Sequence, residues 1–256
     1  MDNIEKIAQM YDGQTRVFGH RGAMAYAPMN TIPAFELAYE QGAHGVELDV
    51  HRSSDGYPVI VHDFTVDAVT DGSGKVTAMS LDELKSLDAG SWFDEKFTGV
   101  RIPTLDEVFE TVGQKLIINV EIKSRGLEET DGVEQVVADC IARHNMKERV
   151  IVSSFDPMAL TRFREIMPDV PLGSLYMPSA QAMTQKLTPR IHSEAYHPHF
   201  SIINEYVVET AEANQQVVNA WTVNDIDIAV KLRNMGVHGL ITNTPDVILK
   251  ALADNA

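Results

Sequence analysis

The chain is poor in cysteine. Cys140 is its only one, so no intrachain disulfide can form and a disulfide-stapled scaffold is excluded. It lies in the apolar, helix-like stretch Val136-Val137-Ala138-Asp139-Cys140-Ile141, where a free thiol is expected to be a buried packing group rather than a nucleophile. Long apolar runs are missing too. No segment offers the roughly 20 apolar residues that cross a bilayer, so no membrane insertion is expected. Charges at Asp2, Glu5 and Lys6 leave no apolar stretch for a secretion signal, and a cytoplasmic enzyme is the expectation. Cations are scarce: 21 Lys and Arg face 37 Asp and Glu, for a net charge of −16. Such a surface repels nucleic acid and anionic membrane, and neither is expected as a partner. An anionic substrate then needs a local cationic patch or a metal. Internal repeats and low-complexity segments are absent. No Gly-rich dinucleotide fingerprint follows the first strand, which argues against a doubly wound open sheet. Oligomeric state leaves no trace in the sequence.

What is present suits one α/β domain over residues 1–256: the apolar fraction is 44%, and strand-like runs alternate with helix-like runs, the pattern of a parallel sheet with helical crossovers. The strand candidates are Arg16–His20, Gly45–Val50, Pro58–His62, Lys115–Ile122, Val150–Ser154, Pro171–Tyr176, Glu194–His197, Gln216–Thr222 and Gly239–Thr242. Helix starts are marked by Asn30-Thr31 before Pro33, by capping boxes at Ser80/Glu83 and Thr104/Glu107, and by Asp156-Pro157 and Thr244-Pro245. Asn224 is expected to cap a helix that runs to Met235 and stops at Gly236. The interval between Val50 and Pro58 is too short for a parallel crossover, whereas Asp55-Gly56 is a tight-turn signal. A hairpin is expected, its register placing Asp49 opposite His62. The architecture that fits is a (β/α)8 barrel, with residues 64–103, long for a βα loop, inserted as a small capping region.

Acids gather at strand ends. In Glu47-Leu48-Asp49 and Glu121-Ile122-Lys123 the outer residues share one face of a strand. His20 and Arg21 end the first strand, and His62 ends the third. Barrels of this kind work at the strand C-termini. Three carboxylates suit a hard divalent cation, Mg²⁺ or Ca²⁺; a zinc site would recruit more His or Cys. Two imidazoles can exchange protons with a nucleophile and a leaving group, and Arg21 and Lys123 can neutralise phosphate oxygens. The remaining histidines carry less weight. His51 and His144 read as surface residues, and His197-Pro198-His199 reads as a loop with two incidental imidazoles rather than a metal site.

With His20-Arg21-Gly22, Ala27-Pro28-Met29-Asn30-Thr31, Gly45-Val46-Glu47-Leu48-Asp49-Val50, Val61-His62-Asp63, Val120-Glu121-Ile122-Lys123, Ser153-Ser154-Phe155, Trp221-Thr222-Val223-Asn224 and Thr242-Asn243-Thr244-Pro245-Asp246 in this order, the chain resembles the glycerophosphodiester phosphodiesterase family over about residues 16–250. The resemblance implies a TIM barrel and metal-dependent hydrolysis of a small-molecule glycerophosphodiester to glycerol 3-phosphate and an alcohol. It implies that Glu47, Asp49 and Glu121 bind the metal, that His20 and His62 are the acid–base pair, and that Arg21 and Lys123 face the phosphate. Trp221 matches an aromatic that lies against the glycerol, with Phe155 at the same mouth; core packing is a competing role for Trp221. The family usually has Pro-Glu-Asn-Thr where this chain has Pro28-Met29-Asn30-Thr31, so a carboxylate beside Arg21 is replaced by a thioether. Altered rate, metal affinity or substrate preference is expected from that change. Two other readings stay open: a member that binds a glycerophosphate without turnover, and a related phospholipase-type phosphodiesterase. The alcohol head group and the choice between Mg²⁺ and Ca²⁺ are not legible.

Overall fold

The computed structural model describes residues 1–124, 130–177 and 192–255. Nine strands form one sheet: β1 (Arg16–His20), β2 (Gly45–Arg52), β3 (Pro58–Ile60), β4 (Ile117–Ile122), β5 (Val150–Ser154), β6 (Leu172–Tyr176), β7 (Ala195–Pro198), β8 (Val217–Ala220) and β9 (Gly239–Thr242). Eight of them run parallel in the order β1-β2-β4-β5-β6-β7-β8-β9, and β9 pairs back onto β1. The result is the expected closed barrel, the TIM architecture. β3 is the ninth candidate and stays outside the ring, antiparallel to the far end of β2.

The hairpin forms, but its register differs by one residue from the expected one. Val50 pairs with Ile60 and Arg52 with Pro58, so Asp49 meets Val61, whose N–H donates to the Asp49 carbonyl at 3.1 Å. The turn has three residues rather than two, because Ser53 and Tyr57 close it by an N–H to carbonyl bond of 2.9 Å. Gly56 takes the left-handed conformation at φ +94° that such loops require.

The described helices are α1 (Asn3–Tyr11), α2 (Ile32–Glu40), α3 (Leu81–Ser86), α4 (Leu105–Val108), α5 (Val133–Arg143), α6 (Pro157–Ile166), α7 (Glu205–Ala213), α8 (Ile226–Asn234) and α9 (Pro245–Asp254), and α2, α3, α4, α6 and α9 start where the sequence signals placed them. Both capping boxes are formed, and Asp156 accepts from the Met158 N–H at 2.9 Å. Asn224 is not the cap of α8. Asp225 takes that position, accepting from the Ile228 N–H at 3.0 Å, while Asn224 accepts from the Asn243 N–H at 2.9 Å and ties the ends of β8 and β9 together. No helix among the described residues is long and apolar enough to cross a membrane.

Parallel register decides what points inward. Phe18, Ile117, Ile151, Ala195, Val217 and Ile241 fill the N-terminal end, where Ile7, Met10 and Tyr11 of α1 close it as a plug. Above them lies a polar layer. The Tyr11 hydroxyl donates to Asn219 Oδ1 at 2.7 Å, and Asn219 Nδ2 meets His197 Nε2 at 2.8 Å. Two glycines make room for these side chains: a Cβ on Gly173 would lie 2.7 Å from His197 Nε2, and one on Gly239 would lie 2.0 Å from Asn219 Oδ1. His197 is thus a strand residue inside the barrel rather than part of a loop, and burial pushes its pKa down to about 3.

Residues 64–103 build a small core of their own. Val66, Val76, Leu84, Ala89 and Ile102 pack against Val59 and Val61 of the hairpin. The Asp88 carboxylate accepts from the N–H groups of Gly90, Ser91 and Gly99 and pins the connecting loops. This region reaches the barrel mouth at two places. Thr77 shares a cleft with Lys123, and Val69, Ala89 and Ile102 share a crevice with Met29 and His62.

Candidate active site

The mouth of the barrel collects the acids by register alone. Lateral pairing sets His20 beside Glu47 and Asp49 beside Glu121. Paired residues of parallel strands point the same way, so all four side chains face the interior. Glu47, Asp49 and Glu121 bring one carboxylate oxygen each within 4.8 Å of the others. All three are buried, at 5%, 1% and 8% exposure. Burial and the neighbouring Asp49 charge push Glu47 well above its ordinary pKa. The same two causes push Glu121 up to about 7, against the pull of Lys123. Burial acts on Asp49 too, but Lys123 and Arg21 outweigh it and hold that carboxyl at about 2.

The cations are in place. Lys123 Nζ donates to Glu121 Oε1 at 2.8 Å and to Asp49 Oδ1 at 3.2 Å. Arg21 grips two acids in two ways. Its backbone, left-handed at φ +51°, donates its N–H to Glu47 Oε2 at 3.1 Å, and its guanidinium Nε forms an ion pair with Asp49 Oδ2 at 3.2 Å. Its Nη1 points to the Met29 thioether, 3.4 Å away.

The two expected imidazoles are held differently. His20 is the more enclosed: Nδ1 meets Asn243 Oδ1 at 2.7 Å and Nε2 lies 3.9 Å from Glu47 Oε2. Burial and the Arg21 charge hold it down at about 4. The His62 side chain keeps about a third of its surface open, and its Nδ1 meets Asp63 Oδ1 at 2.7 Å. Burial lowers its pKa while the Asp49 charge pulls the other way. Phe155 and Trp221 meet edge to face at 5.5 Å, and Trp221 meets His199 in the same manner at 5.2 Å. They form an aromatic wall with His199, each just past the end of its strand, β5, β8 and β7 respectively. The Trp221 indole N–H donates to the His197 carbonyl at 2.8 Å.

Three supporting residues escape sequence reasoning. Asn30 donates to Asp49 Oδ2 at 2.9 Å, Asn243 orients His20 and Asp63 orients His62. Asn30 carried a usable signal, since Asn tolerates the left-handed backbone it adopts at φ +59°; as the residue before a helix it read as a cap. The other two lie inside quoted motifs but had no mark that assigned them a role. His51 and His144 are not surface residues. His51 is 1% exposed and lies against Phe64 at 5.0 Å, because β2 runs beyond the barrel under the insertion. His144 is held by Asp106 at 2.8 Å and is mostly covered. Cys140 is buried as expected.

Comparison with known proteins gives the family. Residues 20–247 match the model of the glycerophosphoryl diester phosphodiesterase family. The chain belongs to that family. A glycerophosphodiester phosphodiesterase of Caldanaerobacter subterraneus is 41% identical over 240 residues, covering 92% of this chain and 97% of the relative. A phosphodiesterase of Oleispira antarctica, solved in complex with the product sn-glycerol-3-phosphate, superposes with a TM-score of 0.82 at 32% identity, covering 95% of this chain and 99% of that one. A glycerophosphodiester phosphodiesterase structure from Thermotoga maritima superposes with a TM-score of 0.73 at 30% identity, covering 93% and 98%.

Proposed function

We propose that this chain hydrolyses glycerophosphodiesters to glycerol 3-phosphate and an alcohol, with a divalent metal held by Glu47, Asp49 and Glu121. The observation that carries this reading is the convergence of three buried carboxylates, two cations and two imidazoles at one rim of the barrel. The donor set fits the metal. Three buried acids within 4.8 Å, two of them pushed up in pKa by burial and mutual charge, are a site that a hard dication relieves. Mg²⁺ and Ca²⁺ both suit all-oxygen ligands. When bound, the metal supplies Lewis-acid polarisation of the phosphate and of the attacking hydroxyl.

The protein's own groups then divide the work. Arg21 and Lys123 stabilise charge on the phosphate oxygens. With Nδ1 held by Asp63, His62 offers Nε2 as a base that takes the proton of the glycerol 2-hydroxyl, which attacks phosphorus. His20 gives its proton to the departing alkoxide. The resulting cyclic phosphate is opened by water with the two roles exchanged. His20 is neutral near pH 7 in the free protein, since burial and Arg21 keep its pKa low. An anionic ester beside Arg21 offsets that charge and favours the proton His20 must carry. Phe155 and Trp221 lie against the glycerol.

The experiment is release of glycerol 3-phosphate from glycerophosphocholine, with Mg²⁺ or Ca²⁺ and with chelator, for the parent protein and for His20→Ala and His62→Ala. Turnover is expected with metal, loss with chelator, and a fall of about 10²–10⁴-fold in each variant. Wild-type rates in either variant would refute the acid–base scheme, and product formation in chelator would refute the metal. Absence of product from the parent across a panel of glycerophosphodiesters would leave binding without turnover as the function.

A further inference from the structure

We propose that Met29 sets the balance between cation and phosphate affinity at this site, and that a methionine here favours the phosphate. The inference rests on the function proposed above and adds to it a residue that controls ligand preference. Arg21 is the cation best placed to serve both ligands, because its Nε pairs with Asp49 while its Nη1 reaches Met29 Sδ at 3.4 Å. A thioether is a weak, uncharged acceptor, so that edge of the guanidinium keeps its charge for an anion. The next residue, Asn30, is bonded to Asp49 at 2.9 Å, and Met29 itself lines the crevice that contains His62. Met29 therefore touches the cation, shares a crevice with the imidazole and adjoins in sequence the residue that holds Asp49.

Charge decides the sign. Around a bound cation, the ionised Glu47, Asp49 and Glu121 face Arg21 and Lys123. Three negative groups against two positive ones leave a single negative charge for the dication to exceed. The dication then leaves the site positive, ready for a phosphodiester anion. A carboxylate at position 29 would add a second uncompensated negative charge and pair with Arg21. It would hold the cation more tightly and the phosphate less tightly. Methionine does the reverse.

The test is titration of Met29→Glu, Met29→Leu and the parent by calorimetry, first with Mg²⁺ and then with inorganic phosphate at saturating Mg²⁺, with thermal melts as a check on folding. M29E is expected to bind Mg²⁺ several-fold more tightly and phosphate about tenfold more weakly, the scale of one nearby charge. M29L, neutral and close in volume, is expected to stay within about twofold of the parent for both ligands. These opposite movements are a signature that misfolding cannot produce, since a damaged site loses both ligands. Movement of both affinities in the same direction in M29E, or an M29L that behaves like M29E, would overturn the role of Met29 and leave the proposed function standing. A parent protein that binds neither Mg²⁺ nor phosphate would overturn both.

Discussion

The floor of the barrel and the acids at its mouth are buried to a similar degree and are built from opposite materials. At the N-terminal end Ile7 and Tyr11 are each 1% exposed, as is Phe18, and Ile151 is 0%. At the mouth, Asp49 is 1% and Glu47 5% exposed. Exposure thus cannot tell the floor from these acids. The difference is what each buried group demands of its neighbours. The apolar floor gains from burial directly, at about 25 cal/mol per Å². The acids of the mouth lose by it and persist through Lys123, Arg21 and Asn30. The floor keeps the barrel closed, and the mouth gives up part of that stability to keep three acids and two cations together.

The contrast can be broken from either side. The largest effect expected is on turnover: Glu121→Gln should lower glycerol 3-phosphate release at saturating metal by about 10³-fold or more, as loss of a group that acts with a metal does. Melting of the same variant in chelator at pH 7.5 should show no loss of stability, because a repelling buried carboxylate has been removed. At the floor the pattern should invert. Tyr11→Ala should cost about 3–5 kcal/mol in chemical denaturation through the cavity it leaves, with turnover per folded molecule near that of the parent.

A pH series sharpens the comparison. The Glu121 pKa is raised from 4.5 to about 7, so the folded metal-free protein binds more protons than the unfolded chain between those values. Stability from this group is present below about 4.5 and is lost as pH rises to about 7. Asp49, held at about 2, has the opposite sign and loses its contribution only as pH falls through its lowered pKa. A bound dication removes the Glu121 penalty, so the gain in melting temperature on adding Mg²⁺ should be larger at pH 7.5 than at pH 5.5. An equal gain at both values would count against Glu121 as a ligand. The smallest effect belongs to Tyr11→Phe, which removes the hydroxyl bonded to Asn219 at 2.7 Å and should cost about 1 kcal/mol with no change in KM.

The barrel was legible because its rules are local. β1, β5 and β9 fall at the residues expected, since each is a short apolar run between turn or cap signals. The acids of the mouth were legible because two-residue spacing on a strand fixes a common face. What escaped was non-local or hung on one residue of loop length. A single extra residue in the turn at Ser54–Gly56 moved Asp49 from His62 to Val61. His197 was placed at the end of a strand but read as an incidental imidazole, because nothing near it reveals that Gly173, on the adjacent strand, leaves the space it fills. Asn224 and Asp225 are both competent caps, and the choice between them was made by the Asn243 N–H across the sheet. Asn243 became a partner of His20 only when β9 closed against β1.

Arg21 carries a consequence for how this site is read by substitution. Its main-chain amide holds Glu47 while its guanidinium holds Asp49. Exchanging the side chain silences only the second grip, and the first persists in any residue that accepts the left-handed turn. A scan that replaces Arg21 with alanine therefore removes the charge while keeping a β-carbon at φ +51°, as arginine itself has. Asparagine, at ease in that conformation, is a second replacement that removes the charge without asking more of the backbone.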